Sequence, residues 1–190
     1  MKHDTMKNHP GLSIYLILLW MGGLHQAVFA QSSGVETMLE EINAFLPISD
    51  DLATSGQIAY DQIELLKEAG FEVVINLAVA DEARNGLEGF LVTQQGLSYI
   101  HIPVSWQNPS QRDLQFFFDI MEANRGRKVY VHCFANMRVS AFVYLYRTLH
   151  EGVSEEEALA DLKEIWDPME TEQWAKFIET ARREAESKSE

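Results

Sequence analysis

Apolar and polar positions fall in alternating blocks along this chain. After Gly70, "FEVVINLAV" is a compact β-branched run, the pattern of a strand buried on both faces. Two similar runs follow: "LSYIHIPV", closed by Pro103, and "KVYVH", which ends at His132. Between them, "DEARNGLEGFLVTQQG" and "NPSQRDLQFFFDIMEANRG" are polar with an apolar stripe and end at Gly96 and Gly126, so each reads as helical; the second opens on an Asn-Pro-Ser helix start. Upstream, "VETMLEEINAFL" has apolar residues near helical spacing. "PISDDLATSGQIAYDQIELLKEAG" predicts a turn at Ser55-Gly56 and then a helix that stops at Gly70. Downstream, "MRVSAFVYLYRTLHEG" is apolar nearly all round and predicts a core helix. Ser154 and Glu157 form a capping-box pattern that opens the next helix, and "METEQWAKFIETARREAESKSE" closes the chain as an amphipathic one. Helices alternating with buried strands predict a single α/β domain with a central, largely parallel sheet flanked by helices.

The first thirty residues stand apart from this pattern. Lys2 and Lys7 precede the apolar run "GLSIYLILLWMGGL", and "AVFA" sets Val28 and Ala30 at the small positions before a cut at Gln31. Residues 1–30 therefore read as an export signal and 31–190 as the domain, which predicts a periplasmic or secreted protein. The run is shorter than the roughly 20 apolar residues of a spanning helix, so no stable membrane anchor is expected after cleavage. The whole chain carries a formal charge of −14. Residues 1–30 hold Lys2, Lys7 and Asp4, so the remainder carries −15. A surface of that sign repels nucleic acid, and an anionic ligand needs a locally positive pocket.

The chain has one cysteine, Cys133, and its position gives it chemistry. It follows the third strand and precedes the core helix, so it lies at the carboxyl end of a parallel strand, where open α/β sheets bind ligands. The loop "CFANMR", with Phe134, Ala135, Asn136 and Met137, brings backbone N–H groups and a helix N-terminus around one point. Such a nest attracts an anion and favours the ionised thiol. Arg138 offers a planar fork to two oxygens of a bound oxyanion. A thiolate nucleophile, a nest and an arginine are the parts needed for covalent uptake of a phosphoryl group. Asn136 is the residue type suited to a left-handed backbone where the loop lacks glycine. With no second Cys or His at ligand spacing, a metal site is not expected.

"VHC", then an arginine and "VSAF", resembles the signature loop of the cysteine-based protein-tyrosine and dual-specificity phosphatases, closest to small bacterial phosphatase-like proteins. "SGQ", "GFEVVINL", "YIHIPV" and "VYVHC" fall in the family's order over most of residues 31–190. The resemblance implies a phosphatase-like fold, with Cys133 as nucleophile and Arg138 as phosphate clamp. It also implies that Ser140 eases departure of the thiolate and that His132 tunes the loop from behind. A phosphorylated protein, lipid or small molecule is the implied substrate, without a cofactor. Two departures carry consequences. Four residues separate Cys133 from Arg138 where the phosphatase pattern has five, a loop length shared with rhodanese-type sulfurtransferases. In "IPVSWQNPSQRDLQ" the carboxylate available as general acid is Asp113, whose place near a helix start equally suits a structural role. Trp106 and Gln107 are candidates for the pocket mouth, and Arg112 for a wider positive rim. The reading that follows is an exported phosphatase acting on phosphate monoesters through phosphocysteine; its rivals are a sulfur carrier on Cys133 and a phosphate-binding module without turnover.

Overall fold

The computed structural model describes residues 34–189; the predicted export signal lies outside them. Five strands form one sheet in the order β1-β2-β5-β3-β4. These are β1 (Leu46–Ser49), β2 (Leu52–Ser55), β3 (Val73–Asn76), β4 (Ser98–His101) and β5 (Val129–His132). β2, β5, β3 and β4 run parallel, and β1 is an antiparallel edge. The helices are α1 (residues 34–40), α2 (Ile63–Glu68), α3 (Glu82–Asn85), α4 (Glu88–Gln94), α5 (Gln111–Ala123), α6 (Met137–Tyr146), α7 (Glu155–Ile165) and α8 (Glu172–Ser189).

All four residues of β3 and of β5 are buried, as expected of strands covered on both faces. One apolar cluster joins Val74 and Tyr130 of the sheet to α1, α2 and α4. The other joins Val73, Ile75, Val129 and Val131 to α5, α6, α7 and α8. Every residue of α6 from Arg138 to Tyr146 is buried. Phe142 packs between Phe117, Trp174 and Phe177, with ring centroids 5.5 to 6.3 Å apart. Truncating such a ring to alanine costs roughly 3–5 kcal/mol. Gly70 and Gly96, at φ +82° and +79°, end α2 and α4 in the left-handed turn that delivers the chain into β3 and β4.

The structure corrects the sequence reading in three places. Residues 46–55, expected to lead into a turn, form the β1–β2 hairpin, and β2 supplies the sheet neighbour of β5. The segment 81–96 is two helices, broken where α3 gives way at Gly86 and Leu87. The core helix continues beyond Tyr146 as a wider π-helical turn, Arg147–Glu151.

The parallel strands end level. Ser55 pairs with His132, His132 with Asn76 and Asn76 with His101, which puts four polar side chains in one row at the carboxyl edge of the sheet. The cysteine loop leaves from the middle of that row.

Candidate active site

The loop from Cys133 to Arg138 folds back over the end of β2. The Cys133 N–H donates to Ser55 O (3.3 Å), the Gln57 N–H donates to Phe134 O (3.3 Å), and Ala135 bridges Gly56. On its other side Gly56 permits the close approach of Asn43, because a Cβ there would lie 2.4 Å from Asn43 Nδ2. Asn136 stands at φ +60°, the left-handed turn expected of it. Its buried amide Nδ2 donates to Ala44 O (2.8 Å) and Thr54 Oγ1 (2.9 Å), pinning the loop to the β1–β2 side. That turn allows α6 to start at Met137, so the first backbone N–H groups of α6 lack intrahelical acceptors beside Cys133.

Cys133 is 1% exposed and Arg138 9%. The Arg138 guanidinium carbon lies 5.7 Å from the Trp106 ring and 5.8 Å from the Phe134 ring, and its buried Nε has no hydrogen-bond partner among the described residues. A buried cationic donor left open in this way is fitted to an oxyanion. Trp106, Trp166 and Trp174 form one aromatic cluster with centroids 5.2 to 5.9 Å apart. Trp174 Nε1 donates to Trp106 O (3.1 Å), so α8 holds the segment after β4 in place. Trp166 Nε1 donates to Met137 O (3.0 Å) and Ser140 Oγ (3.2 Å), while the Ser140 hydroxyl donates to Met137 O (3.1 Å). Ser140 is thus engaged within its own helix turn in this state.

The other predicted residues are placed less uniformly. Ala135 is exposed, and Phe134 and Met137 are half-buried. Gln107 lines a surface groove between residues 107–111 and α8, with Glu172 and Lys176. Asp113 sits in the first turn of α5, where its N–H is capped by Ser110 Oγ (3.1 Å) and its carboxylate accepts from Arg112 (3.0 Å). The structure therefore gathers Trp106 with Arg138, whereas the contacts of Gln107 are with the α8 groove and those of Asp113 with Ser110 and Arg112. Arg112 projects into solvent. The ring of His101 meets Ala78 O (2.7 Å).

Sequence reasoning named His132 behind the loop but missed Glu88 and the donors around it. His132 Nε2 lies 2.8 Å from Glu88 Oε1, and both side chains are fully buried. Asn76 Nδ2 donates to the same oxygen (3.0 Å), and Gln57 Nε2 donates to Glu88 Oε2 (2.7 Å). Burial raises the Glu88 carboxyl, but the hydrogen bond and charge of His132, with bonds from Gln57 and Tyr99, outweigh it and hold the group below the usual carboxylate range. Arg84 was also missed. Its guanidinium carbon lies 3.7 Å from the Phe134 ring centre while Asp81 holds it (2.8 Å), adding a cation at the loop's rim. Glu88 left no signal in the sequence, because its burial follows from α4 lying tight on the sheet, where a Cβ at Gly89 would meet the Tyr99 ring at 2.8 Å.

A family model described as DSP-PTPase phosphatase fused to NAD+ kinase matches residues 33–181. A crystal structure from Shewanella putrefaciens, of a DUF442 protein named as a phosphatase, is 35% identical, with a TM-score of 0.67 over 77% of this chain and 96% of its own. Two more distant structures share the fold. Tk-PTP in its active form is 19% identical, with a TM-score of 0.62 over 74% of this chain and 97% of its own. TpbA of P. aeruginosa, in a cysteine-to-serine form in complex with pTyr, is 16% identical, with a TM-score of 0.58 over 70% of this chain and 82% of its own. No curated protein matches.

Proposed function

Because this chain belongs to the DSP-PTPase phosphatase family, a tyrosine and dual-specificity phosphatase-like group of hydrolases, we propose that it hydrolyses phosphate monoesters through a phosphocysteine on Cys133. The observation that carries the reading is Arg138, buried at the start of α6 five residues past Cys133, near the Trp106 and Phe134 rings and with Nε free of any partner among the described residues. The Cys133 thiolate attacks phosphorus; the S–P bond forms as the bond to the leaving oxygen breaks. Arg138 and the loop N–H groups bind the equatorial oxygens throughout, and this electrostatic grip supplies most of the rate. Water then attacks phosphorus, the S–P bond breaks, and inorganic phosphate leaves with the thiolate restored.

The leaving oxygen needs a proton, and Asp113 is the candidate donor on the segment after β4. If it serves, Asp113→Asn lowers turnover of alkyl phosphates by about 10² or more and spares para-nitrophenyl phosphate, whose leaving group needs little help. Equal rates on both substrates leave Asp113 as the α5 cap residue. The bound pTyr named for TpbA makes aryl phosphates the first substrates to try. The same reading keeps residues 1–30 as an export signal and puts the activity outside the cytoplasm. N-terminal sequencing of the protein from the periplasmic fraction, starting at Gln31, supports that assignment.

The deciding experiment is hydrolysis of para-nitrophenyl phosphate by the reduced protein beside its Cys133→Ser variant. Turnover lost in the variant supports the phosphatase. Thiocyanate from thiosulfate and cyanide, without phosphate release, would support the sulfur carrier to which the four-residue spacing also points. Vanadate binding without turnover of any phosphate ester would support the binding module.

A further inference from the structure

Glu88 makes no approach to the open face of the loop, yet it is a fully buried carboxylate at the carboxyl edge of the sheet. Taking a carboxylate out of water costs several kcal/mol unless partners compensate. Here three side-chain nitrogens, of His132, Asn76 and Gln57, converge on it beside the Tyr99 hydroxyl. Stability alone does not require such a cluster, because well-packed apolar side chains of similar volume serve as well or better. The cluster also stands at one particular place: its histidine is the residue bonded in sequence to Cys133.

We infer that Glu88 is a positioning residue that acts through His132 to keep Cys133 in its reactive, ionised form. The inference rests on the reading of Cys133 as nucleophile. An ionised carboxylate accepts and never donates, so it fixes Nε2 of His132 as a protonated nitrogen and fixes the ring's orientation. Nδ1 is left buried and without a partner among the described residues. The inferred state carries a proton on Nδ1 as well: Glu88 supplies the counter-charge at the far nitrogen, and the positive charge so held favours a thiolate on the next residue. Without the carboxylate, a buried imidazolium has no counter-ion and the ring stays neutral.

The remaining groups around Glu88 leave this pair in control. From β4 it faces Tyr99 and from β5 Tyr130. Burial, reinforced by the charge of Glu88, pushes both phenols above their ordinary range, so they stay neutral. Tyr60 faces the cluster through Tyr99, and Asn76 of β3 and Gln57 after β2 do not titrate.

The test is the pH profile of iodoacetamide alkylation at Cys133, in which the thiolate displaces iodide to form a C–S bond. Four proteins are compared: wild type, Glu88→Gln, His132→Gln and the double variant. Glu88→Gln moves the profile to higher pH by about one unit. His132→Gln moves it similarly, and Glu88→Gln adds nothing in the His132→Gln background, because the two act as one unit. A folded Glu88→Gln protein with the wild-type profile overturns the inference. If Glu88→Gln does not fold, His132→Gln decides alone, and an unshifted profile overturns the inference equally. Alkylation needs no phosphate ester, so the outcome stands apart from phosphatase turnover: a wild-type protein that turns over no phosphate ester while Glu88→Gln still shifts the profile rejects the phosphatase and keeps the Glu88 link.

Discussion

The two flanks of the cysteine loop are built from opposite materials. Behind it, toward α4, lie Glu88, His132, Asn76 and Gln57, bound to one another at 2.7 to 3.0 Å. Beside it, toward α6 and α8, Arg138 stands near Trp106 and Phe134, and Trp166 and Trp174 pack on Trp106. The first flank is a buried carboxylate saturated with hydrogen-bond donors. The second is apolar around Arg138, whose Nε has no partner among the described residues. The difference separates two tasks of a thiol phosphatase. In the account proposed above, the polar flank governs whether sulfur is ionised and the aromatic flank how firmly an oxyanion is gripped, since low polarity around a guanidinium strengthens its hold on a ligand.

If the tasks are separate, each flank should fail in its own way. The largest effect is expected on the aromatic side. Arg138→Lys removes the planar fork and lowers kcat/KM for para-nitrophenyl phosphate by about 10²–10³, while the pH profile of Cys133 alkylation stays close to wild type. A profile shifted as far as that of Glu88→Gln would break the division between the flanks.

Next comes Asn136, which joins the loop to the hairpin. Asn136→Ala forfeits two hydrogen bonds and strains a left-handed residue, a destabilisation of about 2–4 kcal/mol. Asn136→Gly loses the same bonds but takes φ +60° freely, and should be roughly 1 kcal/mol more stable than the alanine variant. Urea unfolding of both variants checks this, and equal midpoints would show that the amide bonds alone matter.

A smaller effect belongs to the polar flank. The folded protein holds the Glu88 carboxyl below its ordinary value of about 4.3. Its ionised form therefore stabilises the fold above that value, and the contribution is lost as pH falls through the lowered folded value. The stability gap between wild type and Glu88→Gln, read by urea unfolding, should be widest near neutral pH and narrow below about pH 4. A gap that widens on acidification contradicts the sign.

These two flanks were unequally legible in the sequence. β3, β4 and β5 announced themselves as short β-branched runs, and α6 as a helix apolar all round. The left-handed Asn136 followed from residue type alone, as did the caps at Ser110 and Ser154. The aromatic flank was half visible, because Trp106 lies in the segment after β4, whereas Trp166 and Trp174 arrive from the far end of the chain by packing. The polar flank was hidden. Glu88 in "GLEGF" reads as a solvated helix residue, and burial depends on α4 lying against Tyr99, a contact between elements. β1 and β2 were missed because four-residue strands such as "LATS" carry too little alternation to stand out from a turn.

The central claim is a covalent phosphoryl transfer to sulfur. Its most direct measurement is mass spectrometry of the reduced protein, acid-quenched during turnover of para-nitrophenyl phosphate. The account predicts one added phosphoryl group on the peptide that contains Cys133, absent from Cys133→Ser. Steady phosphate release with no adduct on that peptide, or with the adduct on another residue, would contradict it.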